Sequence, residues 1–323
     1  MSQLLPADRT LTAPPPPVAP TPPVRAARGR SLSHQARQAV AGSLFVLPFL
    51  VIVLLFLALP LGYAFWLSLH SESLVLGPHF SGLEQYKEAF TDPQFLTGLR
   101  RVILFGVIQI PIMLGLALAG ALALDAINSR VAKVFRLVAF MPYAVPAVIG
   151  ALMWGFLYSK TFGPFAGVSG LWGAAPVNFF GGSLLLVSLG NVVTWAWTGY
   201  NMIVLYSALQ GVPREMYEAA VIDGASPVQI ALRVKVPAIK PALSLAAIFT
   251  VIGTMQFFNE PAILARFAPD IDAGYTPNLY AYSQAFRFSA FSYSAAISFT
   301  LGLSVFVLSY LFVFVSRRRA ARA

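Results

Sequence analysis

Hydrophobic positions in this chain run in continuous blocks instead of alternating or recurring on one helical face. Six blocks stand out, at residues 43–69, 102–124, 137–158, 184–207, 243–263 and 293–315. Each is near the length of about 20 residues that a helix needs to cross roughly 30 Å of hydrocarbon. Backbone groups in lipid must be paired within their own segment or around a closed barrel. A barrel would show alternating segments of about ten residues, and these blocks are longer and unbroken. The pattern predicts an all-α polytopic membrane helix bundle of about six transmembrane helices. Pro48, Pro60, Pro111, Pro142 and Pro146 fall inside the blocks, where neighbouring helices can re-satisfy the freed carbonyls. The small-residue run Gly115 to Ala123 predicts close helix packing.

Residues 1–40 are polar and Pro-rich, with Pro14 to Pro17 in a row. They lack the apolar side chains for a core and read as a disordered cytoplasmic tail. The transmembrane domain is expected over 41–323. Its first block starts late and is long for a secretory h-region, so it reads as an uncleaved helix. Orientation follows from Lys and Arg. With both ends inside, 16 of the 22 Lys and Arg residues lie in cytoplasmic segments. Arg100 and Arg101 run against this bias and are expected to snorkel at a helix end. Arg317 to Arg319 read as a topology anchor.

Composition agrees. The chain is 58% hydrophobic and 11% charged, with mean hydropathy +0.73, against about a quarter charged in soluble domains. The net charge of +10 is absorbed by helix ends, and no nucleic-acid partner is inferred. There is no Cys, and His34, His70 and His79 form no ligand pattern, so no metal or cofactor is expected. Lys160-Thr161 superficially matches a phosphate-binding loop, but Ser159 and Trp154 stand where glycines are required. No span carries a His–carboxylate cluster or metal motif, so the chain is not read as an enzyme.

The loop 209–242, between blocks four and five, is the informative one. Pro213 suits a helix's first turn and Glu215 complements its N-terminus. Gly224 suits the left-handed residue that ends it. Ser226 can then cap a second helix, with Pro227 first and Gln229 completing a capping box. Pro237 and Pro241 are expected to break that second helix before block five. The result is a helix–turn–helix joined to two membrane helices.

Glu218-Ala219-Ala220, then Asp223-Gly224-Ala225, then Pro237 and Pro241 resemble the EAA motif of permease subunits of binding-protein-dependent ABC importers. The resemblance covers about residues 43–318 and is nearest to the maltose and glycerol-phosphate type of sugar permease. Gly82 to Tyr86, Met141-Pro142-Tyr143, Trp154, Gly163-Pro164 and Ala285 to Phe288 are similar to other parts of that pattern. Two places depart from it. Ala231-Leu232 stands for an aromatic pair, and the segment from Asn259-Glu260-Pro261 replaces a Gly-rich stretch.

The resemblance implies a coupling role for Glu218, Ala219, Ala220, Asp223, Gly224, Ala225 and Pro237. The first helix would dock on a cytoplasmic ATPase subunit, with Glu218 near the contact and Gly224 allowing the turn. Implied partners are a second homologous permease, two cytoplasmic ATPase subunits, an external solute-binding protein and the lipid bilayer of the bacterial inner membrane.

Polar residues inside spans mark candidates for the substrate path: Asn191, Trp195, Asn201, Gln256, Asn259 and Glu260. Gln109, Thr194 and Thr250 share the property; interhelical hydrogen bonding is the competing role. Gln256 and Glu260, four apart, are expected on one helix face. Trp195, Trp197 and Tyr200 could stack on sugar faces or simply pack. An ion-coupled secondary transporter is the alternative. It would need carboxylates at mid-membrane, and the acids here lie mostly in loops or at span ends.

Overall fold

The computed structural model describes residues 31–73, 77–127, 130–171, 173 and 175–320. Most of the Pro-rich tail, residues 1–30, lies outside them. Internal contacts define two units, Met1–Pro60 and Leu61–Ala323.

In the first unit, α1 (Ser31–Val53) is followed by a π-helical turn, Leu54–Ala58. Helix therefore begins inside the segment expected to be structureless. The last tail proline is Pro23, and Leu32, Gln35, Ala36 and Arg37 are good helix formers. Every apolar side chain from Leu44 to Leu59 is exposed except the partly covered Val53, as a lipid-facing helix requires. The π turn closes with Leu59 N–H bonding to Leu54 O, immediately before Pro60. Proline cannot take the carbonyl four residues back, and the preceding turn widens to absorb the misfit. α2 (Leu59–Ser68) completes a candidate span, Gly42–Ser68.

The second unit, from Leu61, takes in the rest of α2 and then an antiparallel hairpin, β1 (His70–Ser73) and β2 (Gly77–Phe80), which the reading of blocks did not anticipate. Helices follow in order: α3 (Glu84–Thr91), α4 (Pro93–Ala126), α5 (Arg130–Ala144), α6 (Ala147–Leu157), α7 (Pro164–Leu171) and α8 (Leu184–Gln210). Then come α9 (Arg214–Ile222), α10 (Pro227–Ile230), α11 (Val236–Ala238), α12 (Lys240–Met255), α13 (Asn259–Leu264), α14 (Pro277–Phe286) and α15 (Phe291–Ala320).

α4 starts on a strong cap. Asp92 Oδ1 accepts from the backbone N–H groups of Gln94 and Phe95 at 2.8 and 3.4 Å, with Pro93 first in the helix. The other oxygen, Oδ2, accepts the hydroxyls of Tyr280 at 2.5 Å and Tyr293 at 2.7 Å. One carboxylate thus ties α4 to α14 and α15. Burial pushes Asp92 upward, but these hydrogen bonds outweigh it and hold the group below its ordinary value.

α4 and α8 pack against each other through Ala117 and Ala121, both fully buried, and Leu205 and Leu209. The small-residue run is therefore a packing surface, as expected. α8 meets α5 at closest approach at Gly199, where an added Cβ would overlap the Ala139 carbonyl. Gln109 is buried and bonds across helices to Thr194, the competing role for that pair. Arg101 is held in place. It donates to Tyr275 O at 2.7 Å and lies 4.2 Å over the Tyr275 ring.

Among the described residues, four helices are long and apolar enough to cross a membrane, or five if one bent pair counts as one span. Six were expected, and two departures explain the difference. Block three is that bent pair: α5 and α6 turn by 95° at Val145-Pro146, because a residue before proline is driven out of helical geometry. Block four is the 27-residue α8, long enough at about 1.5 Å per residue. Its hydropathy is lowered by Asn191, Thr194, Thr198, Tyr200 and Asn201.

Candidate functional site: a two-helix hairpin and a polar cavity

Two features stand out, and α8 leads to both. The first is the hairpin that follows it. Pro213 sits at the cap of α9, one place before the expected first turn, and Glu215 occupies that turn. α9 ends on paired hydrogen bonds: Ala225 N–H to Ala220 O at 2.9 Å and Gly224 N–H to Val221 O at 3.0 Å. They require a left-handed residue, and Gly224 has φ +77°. Ser226 then forms the capping box, its N–H donating to Gln229 Oε1 at 2.7 Å and its Oγ accepting from Gln229 N–H at 3.4 Å.

The second helix does not break at Pro237. α10 passes through a π turn, Ala231–Lys235, closed by Val236 N–H to Ala231 O just before Pro237. The chain repeats the device used before Pro60, and α11 carries the helix to Ile239, where it bends into α12.

Glu218, Ala219, Asp223, Gly224 and Pro237 are exposed, and Ala220 and Ala225 are partly so. The hairpin also leaves Met216, Val221, Ile222, Val228 and Leu232 in the open, Ile222 at 85% exposure. Its inward side is anchored by groups the sequence did not flag. Lys235 forms an ion pair with Asp125, in the last turn of α4, and its Nζ lies 4.8 Å over the Tyr217 ring. Gln210 Nε2 donates to Asp125 Oδ1 at 2.7 Å. Burial, and then the Asp125 charge, push the Tyr217 hydroxyl above its ordinary value.

The second feature is a cavity of about 160 Å³ between α4, α8, α12 and α13. Phe105 and Met113 of α4, Trp197, Tyr200 and Asn201 of α8, and Thr250 of α12 line it with Gln256, Asn259 and Glu260. Gln256 and Glu260 do not share a helix face: α12 ends at Met255 and α13 begins at Asn259, with Phe258 out of helical geometry. The break turns both side chains to the same cavity, whose floor is the stacked pair Phe105 and Phe257, 4.8 Å apart. A second cavity adjoins it, lined by Tyr143, Trp195, Trp197 and Glu260. Tyr143 stacks on Tyr200 at 4.7 Å and meets Trp197 edge-on at 5.2 Å.

Four of the six path candidates, Asn201, Gln256, Asn259 and Glu260, therefore converge on the first cavity. Trp195 lines the second, packed edge-on against Trp154. Asn191 reaches neither: its Nδ2 donates to the Tyr158 hydroxyl at 2.8 Å. Phe105, Met113 and Phe257 were not anticipated, since nothing local separates a cavity-facing apolar residue from a packed one. No group of three or more metal-ligating side chains occurs among the described residues.

Known proteins are similar to this chain in sequence and in fold. Residues 111–320 match the family described as binding-protein-dependent transport system inner membrane component. The lactose transport system permease protein LacF of Rhizobium radiobacter is 31% identical over 289 residues, 87% of this chain and 95% of that one. The trehalose/maltose transport system permease protein MalF of Thermococcus litoralis is 29% identical over 283 residues, 86% of this chain and 91% of that one. Among solved structures, a chain of a bacterial ABC transporter involved in alginate import superposes with TM-score 0.79 at 18% identity, covering 89% of this chain and 98% of that one. The chain belongs to the family of inner-membrane components of binding-protein-dependent transport systems.

Proposed function

We propose that the chain is the permease subunit of an ATP-driven ABC importer and forms the translocation path for a sugar or oligosaccharide. It spans the membrane six times with both ends in the cytoplasm. It works with a second homologous permease, two cytoplasmic ATPase subunits and an external solute-binding protein. ATP is hydrolysed by the ATPase subunits, and this chain makes and breaks no covalent bond.

The observation that carries the reading is the hairpin. It is a locally capped projection whose apolar residues Met216, Val221, Ile222, Val228 and Leu232 are exposed among the described residues. Such a surface fits a partner's cleft. Glu218, Ala219 and Ala220 lie on its first helix; Asp223, Gly224 and Ala225 form its corner, and Pro237 lies in the short helix that runs to the bend at Ile239 before α12. Closure of the ATPase dimer on nucleotide would push this lever and bias a two-state permease.

The cavity supports the substrate class. Asn201, Gln256, Asn259 and Glu260 offer hydrogen bonds, and Trp197 and Tyr200 offer flat apolar faces, a combination suited to sugar hydroxyls and ring faces. Trp195 serves the adjoining cavity. Asn191, spent on Tyr158, is a positioning group in this scheme. LacF and MalF, whose names give lactose and trehalose/maltose, point the same way.

The test is affinity purification of the tagged chain from membranes, with identification of co-purifying chains and of the ligand held by any binding protein. The reading expects an ATPase, a second permease and a bound sugar. Uptake that survives ATP depletion and collapses with the ion gradient would instead establish an ion-coupled secondary transporter.

A further inference from the structure

α4 ends with an acidic residue where the physics disfavours one. Asp125 lies in the last turn, facing the partial negative charge of its own helix C-terminus. A local choice that works against its own element points to a demand from elsewhere. Here the demand is visible. Asp125 Oδ2 pairs with Lys235, from the segment that leaves the hairpin, and Oδ1 accepts from Gln210, from the helix that enters it. Lys235 also covers the ring of Tyr217 on α9. The two side chains of the ion pair are only 10% and 16% exposed, so water screens the pair weakly. One carboxylate at the foot of α4 thereby holds both arms of the hairpin, while the same helix supplies Phe105 and Met113 to the cavity.

We infer that Asp125 is a positioning residue that locks the hairpin to α4 through Lys235, so that the two move as one body and motion of the hairpin reaches the cavity wall. This rests on the proposed role of the hairpin as the element the ATPase pushes. Neither partner belongs to the EAA constellation, and 110 residues separate them.

The chain has no Cys, so cysteines introduced for spin labels are unique within it, and the complete complex is prepared in nanodiscs with the partner chains' reactive cysteines replaced. Labels at Leu232 and Leu116 report hairpin against α4. Labels at Leu116 and Leu245 report α4 against α12, across the cavity. All three positions are exposed. In the parent complex, ATP with vanadate should leave the first distance unchanged and shift the second. In Lys235→Met the first distance should become nucleotide-dependent and the second shift should be lost. Lys235→Arg should restore both. If Lys235→Met fails to assemble, Asp125→Asn removes the charge, keeps an oxygen for Gln210, and is read the same way. Identical responses in parent and charge-loss variants overturn the lock alone. No nucleotide response in the parent at either pair overturns the hairpin's role and the lock with it.

Discussion

Asp92 offers the sharpest stability test, because a single carboxylate makes four hydrogen bonds there. Asp92→Ala removes the cap of α4, worth about 1 kcal/mol. It also takes the carboxylate acceptor from the hydroxyls of Tyr280 and Tyr293, which are 4% and 8% exposed, though Tyr280 keeps hydrogen bonds to Gln284 and Tyr293. Removing the acceptor of a buried hydroxyl costs about 1–3 kcal/mol, so the loss is about 3–7 kcal/mol in all. At about 2–4 °C per kcal/mol for a large domain, melting should fall by on the order of 10 °C. Asp92→Asn retains the cap and should lose less than half as much. Tyr280→Phe removes one donor and should cost about 0.5–1.5 kcal/mol.

The same site predicts a pH dependence. The folded carboxyl sits below its ordinary value of 3.8. The stability it contributes is therefore complete above that value and is lost as pH falls through the lower folded value. Below pH 3.8 the parent should lose stability faster than Asp92→Asn, so their difference shrinks. The assay is thermal melting of the detergent-purified chain followed by its tryptophan fluorescence. Asp92→Ala melting within a degree or two of the parent would refute the tie between α4, α14 and α15.

Other substitutions probe the remaining parts. Gly199→Ala places a Cβ against the Ala139 carbonyl; backbone cannot yield as a side chain can, and membrane yield and melting should both drop, by about 1–3 kcal/mol in stability. Gly224→Ala should cost about 1 kcal/mol at a left-handed position and reduce uptake while insertion persists. Gly224→Pro and Glu218→Lys should abolish uptake with normal membrane levels, measured by immunoblot. Asn201→Leu or Glu260→Leu should cut uptake while ATP hydrolysis by the co-purified complex continues, and Asn191→Leu should lower stability more than transport.

What could be read from the sequence was what is local. The capping box at Ser226 and the left-handed Gly224 depend on residues within five positions of each other, and both fell where side-chain chemistry put them. The membrane blocks were legible because bilayer thickness imposes one length. Their breaks were not. Val145-Pro146 turns the third block by 95°, whereas Pro111 sits inside an unbroken α4; proline chemistry is the same, and packing decides. The break after Met255 carries no local signal, so Gln256 and Glu260 could not be assigned to two elements. Facing along α8 was equally hidden, because it is buried on several sides. Asn191 and Asn201 look alike in sequence, yet one is spent on Tyr158 and the other lines the cavity. Asp92 with Tyr280 and Tyr293, and Asp125 with Lys235, join residues more than a hundred positions apart.

The most direct test is a single cysteine at Glu218 in this cysteine-free chain. In inside-out vesicles it should react with a membrane-impermeant maleimide. With a short bifunctional reagent it should cross-link to a chain that hydrolyses ATP, in a yield that changes with nucleotide. Labelling only from the external face of intact cells, or cross-linking to no ATP-hydrolysing chain in a complex that still transports, would contradict the account.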